Sequence, residues 1–248
     1  MSQLQRLTLA PAQVGHSEIQ LTTEQQHYLW RVLRLQAGDR LIVMDGLGQS
    51  WLAVFQPPDQ MQIVKEQTIR FSTELPRPMV LLVAVPKGQG MDDVVRQATE
   101  LGVSQIVPIL SDRTLLQPSP QKLDRWRRII QEAAEQSERQ VIPTLSAPQP
   151  WNQALTQWHA DTSEAYLCEA RGDRLHLLHV LSQQTEAAVA KPIAIAVGPE
   201  GGWTEGEIAR AIAAGYRVVS LGRRVLRTIT APATALAIVA AVLESSST

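Results

Sequence analysis

An apolar run, AIAV (194–197), breaks into GPEGG (198–202) and then into WTEGEI (203–208). Gly198, Gly201 and Gly202 allow positive φ angles and let a ligand approach the backbone closely. Thr204 and Glu207 have the spacing of a capping box, so a helix is expected from about residue 205. Its free amides would favour a carboxylate or another anion. Glu200, in the same turn, favours a cation. A zwitterion carrying extra positive charge satisfies both, and S-adenosylmethionine, with its carboxylate, ammonium and sulfonium, is such a molecule. The alternative is a tight turn, closed by Pro199, whose glutamate faces water.

A second loop, LGRRVLRTITAP (221–232), places Arg223, Arg224 and Arg227 within five positions, ahead of a helix opened by Thr230 and Pro232. Guanidinium forks suit phosphates and nucleobase carbonyls, although such a cluster is often only a solvated rim. A third loop, LCEARG (167–172), holds Cys168. As the one cysteine of the chain, Cys168 rules out an intramolecular disulfide framework and a cysteine-rich zinc site. His176 and His179 are three apart, but no acidic or cysteine ligands accompany them, and no metal is expected.

These loops follow apolar runs that read as strands: AYLCE (165–169), IAIAV (193–197) and RVVSL (217–221). Upstream, VLLVAV (80–85) and QIVPI (105–109) read the same way, and helical stretches separate all of them. In MDDVVRQATELGV (91–103), Met91, Val94, Val95, Ala98 and Leu101 form one stripe; Leu123, Trp126, Ile130, Ala133 and Ser137 form another. Strands alternating with helices predict a parallel sheet covered on both faces, with ligands outside the carboxyl ends of its strands. Residues 1–72 read differently. RLIVMD (40–45), SWLAVF (50–55) and MQIVKEQTI (61–69) are β-rich, GLGQ makes a hairpin turn, and one helix over 23–35 opens on a capping box of Thr23 and Gln26. A small barrel-like binding unit is expected there, with the prolines of STELPRPM (72–79) marking the boundary.

The chain has 248 residues, 44% hydrophobic and 19% charged, with a net charge of −1. This fits a globular protein with one large or two small domains, and any nucleic-acid partner must meet a local basic patch. The amino terminus lacks the basic-then-apolar build of a signal peptide, and APATALAIVAAVL (231–243) is too short to span a bilayer. A cytoplasmic protein is expected. The chain contains neither GxxxxGK[ST] nor GxGxxG, which argues against a nucleotide-binding α/β enzyme.

KGQGMDDVVRQATELGV, PILSDRT, RWRRIIQEAAEQSERQVIP, VGPEGGWTEGEI and LGRRVLRTITA, in that order, resemble the signature blocks of the RsmE family. Residues 1–72 are similar to that family's PUA-like RNA-binding β-barrel. The resemblance implies an S-adenosyl-L-methionine-dependent methyltransferase acting on N3 of a uridine in 16S ribosomal RNA of the small subunit. It also implies a SPOUT-type catalytic domain over 73–248, with a carboxyl-terminal trefoil knot, assembled as a homodimer without metal. A non-catalytic RNA-binding protein, or a SPOUT-type enzyme with another RNA target, remains the alternative.

Under this resemblance the backbone around Leu221, Gly222, Val225 and Leu226 holds the adenine, with Thr230 and Ala231 beyond. Gly198, Pro199, Glu200, Gly201 and Gly202 flank the methionine part, and Leu167 and Cys168 lie nearby. Arg139, Glu200 and Arg227 are the expected catalytic residues. Arg227 would act on charge developing at the uracil carbonyls; Glu200 would act either as base or in orienting the ammonium. RNA is expected to meet Arg6, Arg31, Arg34, Lys87, Arg113, Arg223 and Arg224, with Arg31 and Arg34 sharing one helix face. The chain departs from the family pattern in carrying Ile229 where a glutamate is expected, and Arg223 where proline is common. No role resting on that glutamate transfers. The apolar helix of 231–243 is expected at the subunit interface.

Overall fold

The computed structural model describes residues 4–15, 17–68, 73–114, 117–183 and 191–245. The chain forms two units: residues 1–74 with 134–142, and residues 75–133 with 143–248.

In the first unit, β1 (Arg6–Thr8), β2 (Glu18–Gln20), β3 (Arg40–Met44), β4 (Ser50–Gln56) and β5 (Gln60–Thr68) form one sheet in the order β1-β3-β4-β5-β2. β1 runs parallel to β3, and the other pairs are antiparallel. Leu7, Ile19, Leu29, Leu41, Phe55 and Met61 close its core. The β3–β4 turn forms at the expected GLGQ. Asp45 Oδ1 accepts from the amides of Leu47 (2.8 Å) and Gln49 (2.9 Å), while Gly46 and Gly48 take positive φ.

The helix of this unit departs from expectation. Its capping box is Thr22 with Gln25, one residue earlier than Thr23 and Gln26. α1 (Thr23–Gln26) then widens into a π-turn over His27–Val32, and Arg34 lies beyond its end at φ 55°. Arg31 and Arg34 therefore do not share the face of a regular helix. The wider turn changes the angle between successive side chains, and the left-handed residue redirects the chain.

The second unit alternates as expected. β6 (Met79–Ala84), α2 (Gly90–Glu100), β7 (Gln105–Leu110) and α3 (Pro120–Gln136) lead into the short β8 (Thr144–Leu145) and β9 (Gln149–Pro150). There follow α4 (Trp151–Gln157), β10 (Glu164–Cys168), α5 (Leu177–Ser182), β11 (Ile193–Val197), α6 (Glu205–Ala213), β12 (Arg217–Val219) and α7 (Thr230–Ser245). The sheet order is β12-β10-β11-β6-β7-β8, with β9 also paired to β7, and every pairing is parallel. β6 and β11, in the middle, are buried at every position, as a sheet covered on both faces requires. On one face Val80, Leu82, Ala194 and Ala196 pack against Trp151, Leu155, Trp203 and Tyr216. α7 packs against β11, α2 and α5. Trp126 is buried, as expected, and its indole N–H donates to Asp92 (3.1 Å).

Candidate active site

Five strands of the parallel sheet end at one place. The segments that follow β6, β7, β10, β11 and β12 enclose a cavity of about 790 Å³, within the range of small-molecule sites. The sequence pointed to the last three of these loops. The other two come from KGQG, after β6, and SDRT, after β7.

The β11–α6 turn is the most tightly held wall. The amide of Gly202 (φ 72°) donates to the carbonyl of Pro199 (2.8 Å), closing a turn that needs glycine at its last position. Gly198 has no room for a side chain: a Cβ there would lie 3.0 Å from Trp203 Nε1. The indole of Trp203 is itself wedged against Trp151, with ring centroids 4.7 Å apart. Arg113, in the loop after β7, donates to the carbonyl of Gly201 and lays its stem across that residue.

Glu200 sits in this turn with a protein partner. Its Oε1 accepts from the amide of Lys87 (2.9 Å), in the loop after β6, and lies 3.5 Å from the hydroxyl of Thr228, in the loop after β12. The carboxylate joins three of the five loops. That explains an acid in so constrained a position whether or not a cationic ligand meets it.

Glu207 makes a second and deeper join. The expected capping box is present, with Thr204 as N-cap of α6. Glu207 is 0% exposed, and its Oε2 accepts from the amide of Thr204 (2.8 Å). Its Oε1 accepts from the amide of Asp112 (2.9 Å), which ties α6 to the loop after β7. A buried carboxylate is tolerated only when donors surround it, and here the cap and a neighbouring loop supply them.

Lys87, Arg113, Arg171, Arg224 and Arg227 line the cavity, against the carboxylates Glu169, Glu200 and Glu205. Cations therefore predominate in the wall of a chain whose net charge is −1. Cys168 lines it as well, and burial pushes its thiol up to about 12, so it is neutral and not a nucleophile at ordinary pH.

Of the residues expected at the cofactor, Cys168, Gly198 to Gly202, Leu221, Gly222, Val225, Leu226 and Ala231 all line this cavity. Leu167 is fully buried in the core beneath it, and Thr230 begins α7 outside its walls. Of the expected catalytic residues, Glu200 and Arg227 line it. Arg139 is placed elsewhere: it belongs to the first unit, is 2% exposed, and donates through Nε to Glu74 (3.2 Å). Lys87, Arg113 and Arg224 are in the wall and Arg223 is exposed outside it; Arg6, paired with Glu138 at 2.8 Å, Arg31 and Arg34 lie in the first unit. Pro86, Gly90, Arg171, Trp203 and Thr228 line the cavity without having been expected there, and Ile229, noted only as the departure from the family's glutamate, lines it too. Arg171 was legible in LCEARG; for Gly90 and Ile229 the signal is steric, since a Cβ on Gly90 would lie 3.2 Å from Ile229.

The profile of the RNA methyltransferase domain family matches residues 73–240, and that of the RNA methyltransferase PUA domain matches residues 21–66. The chain is 45% identical to ribosomal RNA small subunit methyltransferase E of Synechocystis, over 97% of this chain and 78% of the relative. This chain belongs to the RsmE family. Among solved structures it is similar to the RsmE-family enzyme of Neisseria gonorrhoeae bound to S-adenosyl methionine, with 27% identity, a TM-score of 0.83, and coverage of 95% of this chain and 96% of that one. A methyltransferase from Legionella pneumophila in complex with S-adenosylmethionine matches with a TM-score of 0.81 and 26% identity, over 98% of each chain.

Proposed function

We propose that this RsmE-family protein methylates N3 of a uridine in 16S ribosomal RNA, with S-adenosylmethionine as donor. The observation that carries the reading is the cavity: a glycine-rich backbone wall facing a rim of cations, in a member of an RNA methyltransferase family. The walls fit the donor. Gly202 (φ 72°) and Gly222 (φ 121°) have no atom within 4 Å of where a Cβ would stand, so bare backbone meets open space beside the cavity. Backbone groups of Leu221, Gly222, Val225 and Leu226 would hold the adenine, and Gly198 to Gly202 the methionine part.

Bound there, the donor supplies a methyl group already activated by its sulfonium. The chain must then orient the uracil, exclude water and stabilise charge. Arg227, exposed at the cavity wall, is suited to the negative charge that develops on the uracil carbonyls as N3 loses its proton, worth a few kcal/mol when the donor is preorganised. Glu200 holds the Lys87 amide with one oxygen and thereby positions two loops around the reacting groups.

The same reading extends to organisation. Residues 1–72 form the RNA-binding domain and residues 73–248 the catalytic domain. The loops after β11 and β12 belong to a trefoil knot, and the enzyme is a homodimer working in the cytoplasm. α7 supports the dimer. It buries Pro232, Ala235, Leu236, Val239 and Leu243 but leaves Ala237 and Ala241 exposed and Ile238 and Val242 half-buried, an apolar face that a second copy would cover. Among the described residues, no helix is long and apolar enough to cross a membrane.

Mass mapping of ribosomal RNA from a strain lacking the protein tests the activity. One uridine of 16S RNA should lose a single methyl group, and the purified protein with S-adenosylmethionine should restore it. An unchanged methylation map would overturn the reading.

A further inference from the structure

The first unit carries a feature the cavity does not use. Leu33 N–H donates to the carbonyl of Tyr28, five residues back (2.9 Å), which makes the π-turn of His27–Val32. Such turns are rare and concentrate at functional sites. Leu29 is fully buried here, and Tyr28, Leu33 and Leu35 pack against the same core, so one side of the turn is committed to the fold. The other side is not. Trp30 is 48% exposed and Val32 57%, a large apolar surface left to solvent between charged neighbours.

Its surroundings say what would cover it. The guanidinium of Arg31 stands 5.5 Å from the centre of the Trp30 ring, within cation–π range. Two residues past the turn, Arg34 adopts φ 55°, a conformation usually left to glycine, and the amide of Leu35 returns to the carbonyl of Leu29 (3.0 Å). Glycine would make that reversal without strain, yet an arginine stands there. Backbone strain held in place by its surroundings is a pointer to function. A flat ring, a flat guanidinium over it and a second exposed arginine nearby are what an unpaired nucleobase and its phosphates require.

We propose that this turn is a stacking platform for a single-stranded nucleobase of the RNA substrate, with Trp30 as the ring and Arg31 and Arg34 as phosphate contacts. The proposal rests on the reading that the enzyme acts on RNA. The match to an RNA methyltransferase PUA domain over residues 21–66 includes the whole turn.

The test uses full-length protein and a fluorescently labelled single-stranded fragment of small-subunit RNA, with anisotropy measured across a salt series. Trp30→Ala should weaken binding about 10-fold with the salt slope unchanged, because stacking releases no counterions. Trp30→Phe should stay within about 3-fold of the native protein, since every aromatic offers a face. Arg34→Gly should reduce the magnitude of the salt slope by about one while leaving thermal stability unchanged or higher, because it relieves the left-handed strain. A merely structural arginine would give the opposite stability result. Native affinity in Trp30→Ala overturns the platform. So does a loss of affinity that accompanies dissociation of the protein in light scattering, which would assign the turn to a second copy of the chain. A native protein that binds no RNA at any salt overturns the underlying reading together with the platform.

Discussion

The two loops that contribute most to the cavity are built in opposite ways. The β11–α6 turn is bolted down: Lys87, Arg113 and Trp203 each hold a different residue of GPEGG, and Glu207 anchors the start of the following helix. The β12–α7 loop is held lightly. Ser220 hydrogen-bonds Gly222 (3.1 Å) and Thr228 reaches Glu200, but among the described residues Arg223, Arg224 and Arg227 have no acidic partner. A rigid wall suits a small molecule whose shape does not vary, because backbone groups fixed in advance lose no entropy on binding. Guanidinium groups without partners suit a large anionic substrate and a charge that appears only during reaction. On the proposed reading the first loop meets the methionine part of the cofactor, while the second offers its backbone to the adenine and its arginines to the RNA and the developing charge.

The strongest challenge to this division is Arg227→Ala. The single-turnover rate at saturating RNA should fall about 10²-fold or more, while stability to urea stays within about 0.5 kcal/mol. A normal rate would remove Arg227 from catalysis and leave the lightly held loop as a rim.

Glu207→Ala should do the reverse. Without the carboxylate the amides of Thr204 and Asp112 lose their acceptor, and urea denaturation should show a loss of about 2–3 kcal/mol, with cofactor affinity falling alongside. Glu207→Gln keeps an acceptor oxygen and should recover part of both. Unchanged stability in the alanine variant would mean the wall is not anchored there.

A finer probe is Glu200→Gln, which keeps the shape and replaces a charge-assisted bond to the Lys87 amide with a neutral one. About 1 kcal/mol of cofactor affinity, some 5-fold in calorimetry, should be lost with little change in rate once the cofactor saturates. A large fall in the saturated rate would instead make Glu200 the base.

The smallest effect belongs to Cys168. Its thiol rises from 9.0 to about 12 through burial, so between those values the unfolded chain gives up a proton that the folded one keeps. Stability should therefore fall as pH rises above about 9, and Cys168→Ser should flatten that slope without altering the rate at pH 8. Urea midpoints at pH 8 and pH 10 are the measurement.

Most of the scaffold was legible because its signals are local. Buried parallel strands are continuous apolar runs, so IAIAV and VLLVAV were legible as strands of a covered parallel sheet, although their central place in it was not. The Thr204–Glu207 box spans three positions, and the strand-end rule then placed three loops at one site. One local reading went astray. The helix of 23–35 keeps its apolar spacing whether its turn is α or π, and packing of Leu29, Tyr28 and Leu33 on the core goes with the wider turn seen.

The sequence by itself determined the central strands of both sheets, though not the short β1, β2, β8 and β9, together with the glycine turn, the cap of α6 and, through its ordered blocks, the family. Each depends on residues a few positions apart, whose geometry the backbone dictates. The tertiary structure alone decided what Glu200, Glu207, Arg113 and Arg139 do. Their partners are Lys87, 113 positions away; Asp112, 95 away; Gly201, 88 away; and Glu74, 65 away. A hydrogen bond is set by distance and angle in space, and only the folded chain brings groups so far apart in sequence within hydrogen-bond reach of one another.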